Sequence, residues 1–389
     1  MDIRKASLNK HREWKGKIEV AARICLETQE DLSLAYTPGV AEACLEIQKD
    51  IGLSYELTRR GNMVAVITDG TAVLGLGDIG PEASMPVMEG KCALFKAFAD
   101  VDAIPLCIRS KDTEEFIRTV SLLSGSFGGI NLEDIAAPRC FDIEKRLQTL
   151  CDIPVFHDDQ HGTAVVVAAA LINALKYVGK SLSAVRIVIN GAGAAGIAVA
   201  KHLTDIGVTD ITLADRFGLL SKNAAGMNPI QTEVAQWTNP NQINGVLHDA
   251  LQQADVFIGL SSANALCADL ISVMAKDPII FALANPIPEI MPEEAIKAGA
   301  VIVGTGRSDF CNQINNVLAF PGIFRGALDC RAKNISSSMM QAASYAISGL
   351  VTVNELRPDY ILPGVLDKRV SRSVAEAVIQ AAFLSDAAR

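Results

Sequence analysis

The stretch VRIVINGAGAAG at residues 185–196 is the part of the sequence that decides the fold. Its mainly apolar residues 185–189 predict a buried β-strand, and the run IAVAKHL at residues 197–203 predicts a helix directly after the glycines. A GxGxxG pattern between a strand and a helix is typical of a dinucleotide-binding turn, because glycines let the backbone approach a pyrophosphate at a helix N-terminus. The alternative is a glycine-rich turn without a ligand.

An acidic residue at the next predicted strand extends this cofactor site. Asp215 ends the run ITLAD, about twenty residues after the glycines, where a carboxylate ordinarily binds the adenosine ribose hydroxyls. Asp215 favours NAD because a carboxylate repels a 2′-phosphate, whereas Arg216 could pair with that phosphate in NADP. The residues predicted to bind the cofactor are therefore Gly191, Ala192, Gly193, Ala194, Ala195, Gly196, Asp215 and Arg216.

Short β-branched runs alternate with helix-length segments on both sides of this turn. This alternation predicts an α/β fold with largely parallel sheets covered by helices. Before the turn, helices are predicted at residues 86–98, 113–123 and 138–150, and the first 60 residues are predicted to be mostly helical. Strands are predicted at residues 64–68, 103–108, 129–132 and 154–156, and then at 185–189, 211–213, 256–260, 279–283 and 301–303.

The chain length of 389 residues favours two domains over one core. The helix-like segment at residues 162–179 bridges the two series of strands, and we place the boundary after residue 157. The prediction is an N-terminal α/β domain at 1–157 and a Rossmann-like, doubly wound dinucleotide-binding domain at 158–389. The last helices could pack back onto the first domain.

Composition excludes several classes of function. The net charge is −9 and no block is rich in Lys and Arg, so nucleic-acid binding through a basic surface is not expected. The longest apolar run, residues 164–175, is shorter than the ~20 residues of a membrane span, and the charged N-terminus lacks a signal core. Nine cysteines without CxxC spacing indicate reduced core thiols. We therefore expect a soluble, cytoplasmic protein.

Two acidic pairs follow predicted strands and suggest a metal site. Glu133 and Asp134 end one strand-like run, and Asp158 and Asp159 lie in FHDDQHGT at residues 156–163. Adjacent buried carboxylates need a positive partner, and oxygen ligands suit Mg²⁺ or Mn²⁺. The neighbouring histidines at 157 and 161 leave a zinc site open. The structural alternative is helix capping, with Asp159 or Thr163 at the N-terminus of a helix over residues 164–177 and Asp134 in a turn.

Lys91 and Tyr36 are ambiguous when considered alone. Lys91 falls early in the apolar helix predicted from residue 86, where a lysine ordinarily extends to solvent. The preceding run LGLGDIGP at residues 74–81 could be a second phosphate-binding turn. Tyr36 is typical of a packing residue at a helix entry. These residue types assign neither side chain to a site.

Seven motifs, taken together and in their order along the chain, resemble those of the malic enzymes. The chain length and the GPEA motif are similar to the shorter bacterial type. The resemblance runs from about residue 16 to the last helix. It implies an N-terminal malic-enzyme-type domain, a Rossmann-like domain, and oxidative decarboxylation of L-malate to pyruvate and CO₂ with NAD(P)⁺ and a divalent metal. It also implies a homodimer. The motifs are YTPGVAE, LGLGDIGPEASMPVMEGK, NLEDI, FHDDQHGT, GAGAAG, ALANP and NNVLAFPG.

The resemblance also implies roles for single residues. Lys91 would be the general base, Tyr36 the general acid, and Asp158 a residue associated with the catalytic lysine. The implied metal ligands are Glu133, Asp134 and Asp159. Residues implied to contact the substrate or the nicotinamide end of the cofactor are Asn285 and Asn316.

One departure from the family pattern concerns the substrate carboxylate. Many longer members have an arginine just before LGLGD, whereas this chain has Thr71, Ala72 and Val73 there. Another group must bind the substrate carboxylate. The candidates are Arg23, Arg59, Arg307 or the asparagines Asn285 and Asn316 alone.

Two other functions compete with this prediction. One is a metal-dependent oxaloacetate decarboxylase with no net redox step, against which the intact cofactor turn argues. The other is a catalytically inactive nucleotide-binding module, which intact Lys91, Tyr36 and acids disfavour.

Overall fold

The N-terminal region is helical but contributes little to the core. A computed structural model describes residues 3–73 and 75–389. The first four helices are α1 (Ile3–Trp14), α2 (Gln29–Ala35), α3 (Val40–Lys49) and α4 (Ser54–Leu57). None of α1, α2 and α3 contains a buried residue. The helical character agrees with the sequence prediction, although residues 15–28 lie between helices.

A four-stranded parallel sheet follows, in the order β2-β1-β3-β4. All four strands lie within two residues of their predicted ends. The strands are β1 (Met63–Thr68), β2 (Asp102–Cys107), β3 (Gly129–Leu132) and β4 (Val155–His157), and the helices are α5 (Pro81–Ala99), α6 (Thr113–Leu123) and α7 (Arg139–Leu150).

The predicted start of α5 was wrong. The helix begins at Pro81 rather than at Pro86, which lies inside it. Proline suits the first helical turn because it has no N–H to leave unpaired, so Pro81 provides a start one turn earlier. Lys91 consequently lies in the middle of α5, and it is one of the buried residues of this helix.

A six-stranded sheet forms the second half, in the order β10-β9-β8-β5-β6-β7. Its strands are parallel except for β7, which pairs antiparallel with β6. The strand order reverses direction between β5 and β8, which is where doubly wound sheets bind ligands. The strands are β5 (Arg186–Asn190), β6 (Asp210–Asp215), β7 (Gly218–Leu219), β8 (Val256–Gly259), β9 (Ile279–Ala282) and β10 (Ile302–Thr305).

Nine helices accompany this second sheet. The long helices α8 and α9 pack against each other and against α15. The helices are α8 (Asp158–Val178), α9 (Ala194–Asp205), α10 (Pro229–Val234), α11 (Leu247–Leu251), α12 (Ala268–Ser272), α13 (Pro292–Lys297), α14 (Phe320–Asp329), α15 (Ser337–Gly349) and α16 (Arg369–Leu384).

Helix α8 is a core helix. It is long and apolar enough to cross a membrane by length and composition, but 67% of its most apolar window is buried inside the protein. Its buried face includes the continuous run 164–171. The apolar surface of α8 is therefore satisfied by packing against its neighbours.

The C-terminal helices contact the first sheet's layer. Phe95 on α5 packs edge-on against Phe320 and Phe324 of α14, with ring centroids 4.7 and 5.2 Å apart. Phe156, next to the end of β4, joins this group at 5.7 Å from Phe324. One hydrophobic core thus runs between α5, β4 and α14.

The cysteines differ in part from the expected core thiols. All nine cysteines are free thiols, and the sequence predicted reduced thiols rather than a disulfide framework. Four of them, however, are exposed rather than buried in the core: Cys25, Cys44, Cys267 and Cys311.

Candidate active site

The two acidic pairs meet at one edge of the first sheet. β3 ends at Leu132, directly before Glu133 and Asp134, and β4 ends at His157, directly before Asp158. Leu132 and His157 are register partners in this parallel sheet. Because both strands end at the same edge, the four acids are brought together there.

Three of these acids form a cluster suited to a metal ion. Ligand atoms of Glu133, Asp134 and Asp159 all lie within 4.8 Å of one another. The backbone N–H of Asp134 donates to Asp159 Oδ2 at 2.7 Å, which ties the two strand ends together. A set of three carboxylates without cysteine fits a hard cation such as Mg²⁺ or Mn²⁺.

Burial makes this cluster costly without a cation. Burial raises the pKa of Glu133 to about 7, although Lys91 opposes the shift and Asp159 adds to it. Burial likewise raises the pKa of Asp158 to about 7 against the opposing effect of Lys91. A divalent cation among these oxygens would favour their charged forms. The electrostatics of the residues therefore fit the metal.

Lys91 is buried between two of the acids. Its side chain is 7% exposed, and Nζ lies 2.5 Å from Asp158 Oδ2 and 2.9 Å from Glu133 Oε1. The ammonium also lies 4.3 Å from the centre of the Phe320 ring. Burial by itself would lower the pKa of Lys91, but the Asp158 and Glu133 carboxylates outweigh it and hold the pKa above its ordinary value. The alternative of a solvent-extended lysine was wrong.

Asp158 links Lys91 to Asn316. The Asn316 side-chain N–H donates to Asp158 Oδ2 at 2.6 Å, the same oxygen that accepts from Lys91. Asn316 begins a 3₁₀ turn that leads into α14. Two residues far apart in sequence therefore hold one carboxylate oxygen, and Asp158 is 0% exposed. The capping alternative for Asp159 or Thr163 was wrong, because α8 already begins at Asp158 and its N-cap, His157, makes no side-chain cap bond.

Tyr36 lies apart from this group in the described part of the chain. It is the C-cap of α2 rather than a helix entry, and 67% of it is exposed. No hydrogen bond, ion pair or ring contact among the described residues joins Tyr36 to Lys91. The structure of one chain therefore does not bring these two predicted residues together.

The glycine turn has the geometry of a dinucleotide site. It leads from β5 to α9, whose first helical residue is Ala194. Gly191 has φ +119°, and a Cβ there would lie 2.3 Å from the Leu260 carbonyl oxygen. At Gly196 a Cβ would lie 1.8 Å from the Gly191 carbonyl oxygen. Both positions require glycine for the backbone to turn this tightly.

Asp215 is held close to this turn by a residue that the sequence analysis missed. Gln231 Nε2 donates to Asp215 Oδ2 at 2.5 Å and to the Ala192 carbonyl at 3.1 Å. Gln231 is the N3 residue of the capping box of α10, a pattern that marks a helix start but not a ligand. The neighbouring Arg216 guanidinium lies 4.7 Å from the Phe217 ring centre.

Asn131 is a second residue that the sequence analysis missed. It is fully buried in β3, and its Nδ2 donates to Glu133 Oε2 at 2.9 Å. A polar residue inside the otherwise apolar strand GINL was the available signal, because a buried amide needs a partner. Asn131 orients the Glu133 carboxylate.

Of the three candidate arginines, Arg307 lies beside the predicted substrate-contacting residue Asn285. Arg307 Nη1 donates to the carbonyl of Pro286 at 3.2 Å, and Asn285 follows the end of β9. Arg59 instead pairs with the acid that starts β2, and Arg23 is exposed on the N-terminal segment. Arg307 is itself ion-paired, because its Nε and Nη2 donate to the Asp309 carboxylate at 2.9 and 2.6 Å, so only its position beside Asn285 distinguishes it from the other two arginines.

The flanking histidines do not join the metal cluster. The side chains whose ligand atoms lie within 4.8 Å of one another include neither His157 nor His161. Burial lowers the pKa of His157 to about 4, and His161 Nε2 lies 2.9 Å from Glu144 Oε2. The arrangement therefore favours a carboxylate site over a zinc site.

A cavity of about 550 Å³ lies outside this group of residues. Its lining residues come from α7, α8, α9, α10 and α15 and include Gln160 and His161, but not Lys91 or any acid of the cluster. This cavity therefore does not contain the predicted base or the predicted metal ligands.

Together, the fold and site define a two-sheet α/β protein with a dinucleotide-binding turn, a buried lysine and a carboxylate cluster. Two family profiles cover nearly the whole chain: the malic enzyme N-terminal domain matches residues 15–148, and the malic enzyme NAD binding domain matches residues 160–383. The chain belongs to the malic enzyme family.

Relatives and solved structures agree with this assignment. The chain is 56% identical to the bifunctional malic/malolactic enzyme of Bacillus subtilis, over 100% of this chain and 95% of that protein. It is 55% identical to the NAD-dependent malic enzyme of Geobacillus stearothermophilus, over 96% and 78%. The crystal structure of NAD-dependent malic enzyme from Thermotoga maritima is 49% identical, with a TM-score of 0.92 over 96% of this chain and 98% of that one. The malic enzyme from Pyrococcus horikoshii is 48% identical, with a TM-score of 0.95 over 100% and 92%.

Proposed function

We propose that this protein catalyses the metal-dependent oxidative decarboxylation of L-malate to pyruvate and CO₂, with reduction of NAD(P)⁺. The observation that carries the proposal is the position of Lys91, buried against Asp158 and Glu133 next to a three-carboxylate cluster. The names of the relatives, which include NAD- and NADP-dependent malic enzymes, support the same reaction.

We propose Glu133, Asp134 and Asp159 as the ligands of Mg²⁺ or Mn²⁺. When bound there, the metal supplies a Lewis acid that polarises the C2 oxygen of the substrate. If Glu133 held the metal, its carboxylate would attract the Lys91 proton less strongly, which would favour a lysine able to act as a base.

Lys91 then accepts the C2 hydroxyl proton of malate as the C2 hydrogen leaves as hydride for the nicotinamide. Loss of CO₂ from the resulting keto acid leaves an enolate, which Tyr36 protonates at C3. Asp158 holds Lys91 in place, since its Oδ2 binds both Lys91 and Asn316. Asn285 and Asn316 bind substrate or the nicotinamide end, and Arg307 is our candidate for a substrate carboxylate.

The position of Tyr36 supports a homodimer. The side chain is exposed, and α1, α2 and α3 bury none of their residues within one chain. Exposed apolar side chains on these helices include Leu8, Trp14 and Leu34. Large apolar side chains left exposed along three successive helices are expected where a partner covers the surface. We infer that a second copy covers this segment and that Tyr36 reaches a lysine across the dimer.

We propose that residues 1–157 supply the base and two of the metal ligands, and that residues 158–389 supply the third ligand, Asp159, and bind the cofactor, in a soluble, cytoplasmic enzyme. For the cofactor itself, we propose NAD over NADP. Asp215 is fixed by Gln231 next to the glycine turn, and Arg216 lies against Phe217. The cofactor-contacting residues are Gly191 to Gly196, Asp215, Arg216 and Asn285.

A direct assay tests the reaction. Purified protein is mixed with L-malate, Mn²⁺ and either NAD⁺ or NADP⁺, and absorbance of the reduced nicotinamide is followed while pyruvate is measured. We expect both products in equal amounts and a lower KM for NAD⁺. Rapid pyruvate formation from oxaloacetate without any malate oxidation would instead assign a simple decarboxylase.

A further inference from the structure

Glu289 is a fully buried carboxylate that the proposed reaction does not use. It lies between β9 and α13 and is 0% exposed. None of the ion pairs formed by the described residues includes Glu289. Hydrogen-bond donors, and no cationic side chain among the described residues, stabilise its carboxylate. A buried acid in that situation is costly, so its local contacts need an explanation.

The carboxylate joins the ends of two adjacent strands. Glu289 Oε1 accepts from the backbone N–H of Ser261 at 2.9 Å, two residues after the end of β8. Glu289 Oε2 accepts from the backbone N–H of Ala284 at 3.0 Å, two residues after the end of β9. Both oxygens serve as acceptors, which is the arrangement of an ionised carboxylate. Ala284 immediately precedes Asn285, so the contact fixes the backbone in the middle of the ALANP segment, residues 282–286.

A third strand end is connected through Ser261. The Ser261 hydroxyl lies 3.3 Å from Glu289 Oε1 and accepts from Asn190 Nδ2 at 2.9 Å. Asn190 is the last residue of β5 and directly precedes Gly191 of the dinucleotide turn. One side chain therefore connects the ends of β5, β8 and β9, which are neighbours in the sheet on either side of the point where strand order reverses.

The surrounding backbone is shaped around this side chain. A Cβ built on Gly259, the last residue of β8, would lie 2.4 Å from Glu289 Cδ. The Glu289 carbonyl accepts from Leu266 N–H at 3.0 Å, which secures the loop beyond β8 from the other side. The position of the carboxylate is thus set both by contacts and by the space that Gly259 leaves.

We propose that Glu289 is a positioning residue for the nicotinamide cofactor: its carboxylate holds the β8 and β9 ends, and through Ser261 the β5 end, in the conformation that binds the dinucleotide. This inference rests on the proposed function, because it requires that the cofactor bind at this edge. It assigns Glu289 no contact with the reacting atoms.

The test compares Glu289→Gln with the exposed control Glu294→Gln on the neighbouring helix. In the Gln variant an amide N–H₂ faces a backbone N–H, so one strand end loses its acceptor. We expect the KM and Kd for NAD⁺ to rise about tenfold, as for a buried donor left unpaired, with Mn²⁺ affinity and the KM for malate within about twofold of the wild type. Glu289→Asp retains the charge and should show a smaller loss.

Two further variants test the same role of Glu289 if the Glu289→Gln protein folds poorly. Gly259→Ala displaces the carboxylate without altering it. Ser261→Ala removes the hydroxyl that bridges Asn190 and Glu289, and it leaves the backbone N–H of residue 261 to donate to Glu289. Both should raise the KM for NAD⁺ in the same direction. An unchanged KM for NAD⁺ in these variants, or an equal loss of NAD⁺, Mn²⁺ and malate binding, overturns the positioning role. Failure of the wild-type protein to bind any dinucleotide overturns the proposed function as well.

Discussion

At the residue scale, the burial of Lys91 decides the chemistry. We predict that Lys91→Ala lowers kcat for malate oxidation by at least about 10²-fold, the contribution expected of a general base, while NAD⁺ binding stays within about twofold. Steady-state rates and a dinucleotide titration measure the two effects. The matched control is Lys96→Ala, an exposed lysine on the same helix whose contacts are with Asp100 and Asp102. Retained turnover in Lys91→Ala removes this residue from the mechanism.

Asp159 provides the second residue-scale prediction. Asp159→Asn can still accept from the Asp134 N–H but loses a charged ligand, so Mn²⁺ affinity should fall at least about tenfold. Electron paramagnetic resonance of free Mn²⁺ during titration gives the dissociation constant directly. Asp142→Asn, an exposed acid on α7, is the control. Equal Mn²⁺ affinity in the two variants would show that Asp159 has only a structural role.

At the element scale, the packing of α9 on α15 predicts a dependence of stability on pH. His202 Nε2 lies 2.9 Å from the Ser344 hydroxyl, and burial lowers the pKa of His202 to about 4. The unfolded chain has the ordinary value of about 6.5 and therefore binds the proton first as the pH falls. Stability is fully present above about pH 6.5 and is lost towards pH 4, by up to about 3 kcal/mol from this residue.

His202→Gln tests this dependence. The Gln amide can still donate to Ser344, but it does not titrate, so the fall in melting temperature between pH 7 and pH 5 should be smaller than in the wild type. His248→Gln replaces an exposed histidine and should leave the wild-type fall intact. The same fall in all three proteins would contradict the prediction. His157, whose pKa is lowered in the same direction, retains part of the effect in every variant.

At the scale of the whole molecule, the separation of Tyr36 from Lys91 predicts complementation between subunits. Tyr36→Phe and Lys91→Ala should each be inactive as homodimers. If they are mixed under conditions that exchange subunits, one site of each mixed dimer has an intact lysine and an intact tyrosine from the other chain. We expect malate oxidation to appear on mixing, with dimers seen by sedimentation. Persistent inactivity after proven exchange would place Tyr36 in the same chain as its lysine.

Much of the fold was predictable because its signals are local. Each strand is a short β-branched run, and the glycine turn sits between a strand and a helix, so these elements were placed to within two or three residues. The start of α5 was missed because two prolines five residues apart, Pro81 and Pro86, each suit a first helical turn. Of the site, the acids were found because they follow strands. Gln231 was missed because its partners Asp215 and Ala192 are distant in sequence, and Asn131 was missed because its polar side chain inside an apolar strand was not used as a signal.

The sequence by itself determined the α/β class, the dinucleotide turn with Asp215, and the edge of the sheet where the acids meet, because strand periodicity and glycine conformation are encoded locally. Only the tertiary structure decided that Lys91 is enclosed by Asp158 and Glu133, that Asn316 shares Asp158, and that Glu289 joins three strand ends. The physical reason is that these contacts depend on strand order and on the packing of α5 and α14, which bring together residues that no local pattern connects.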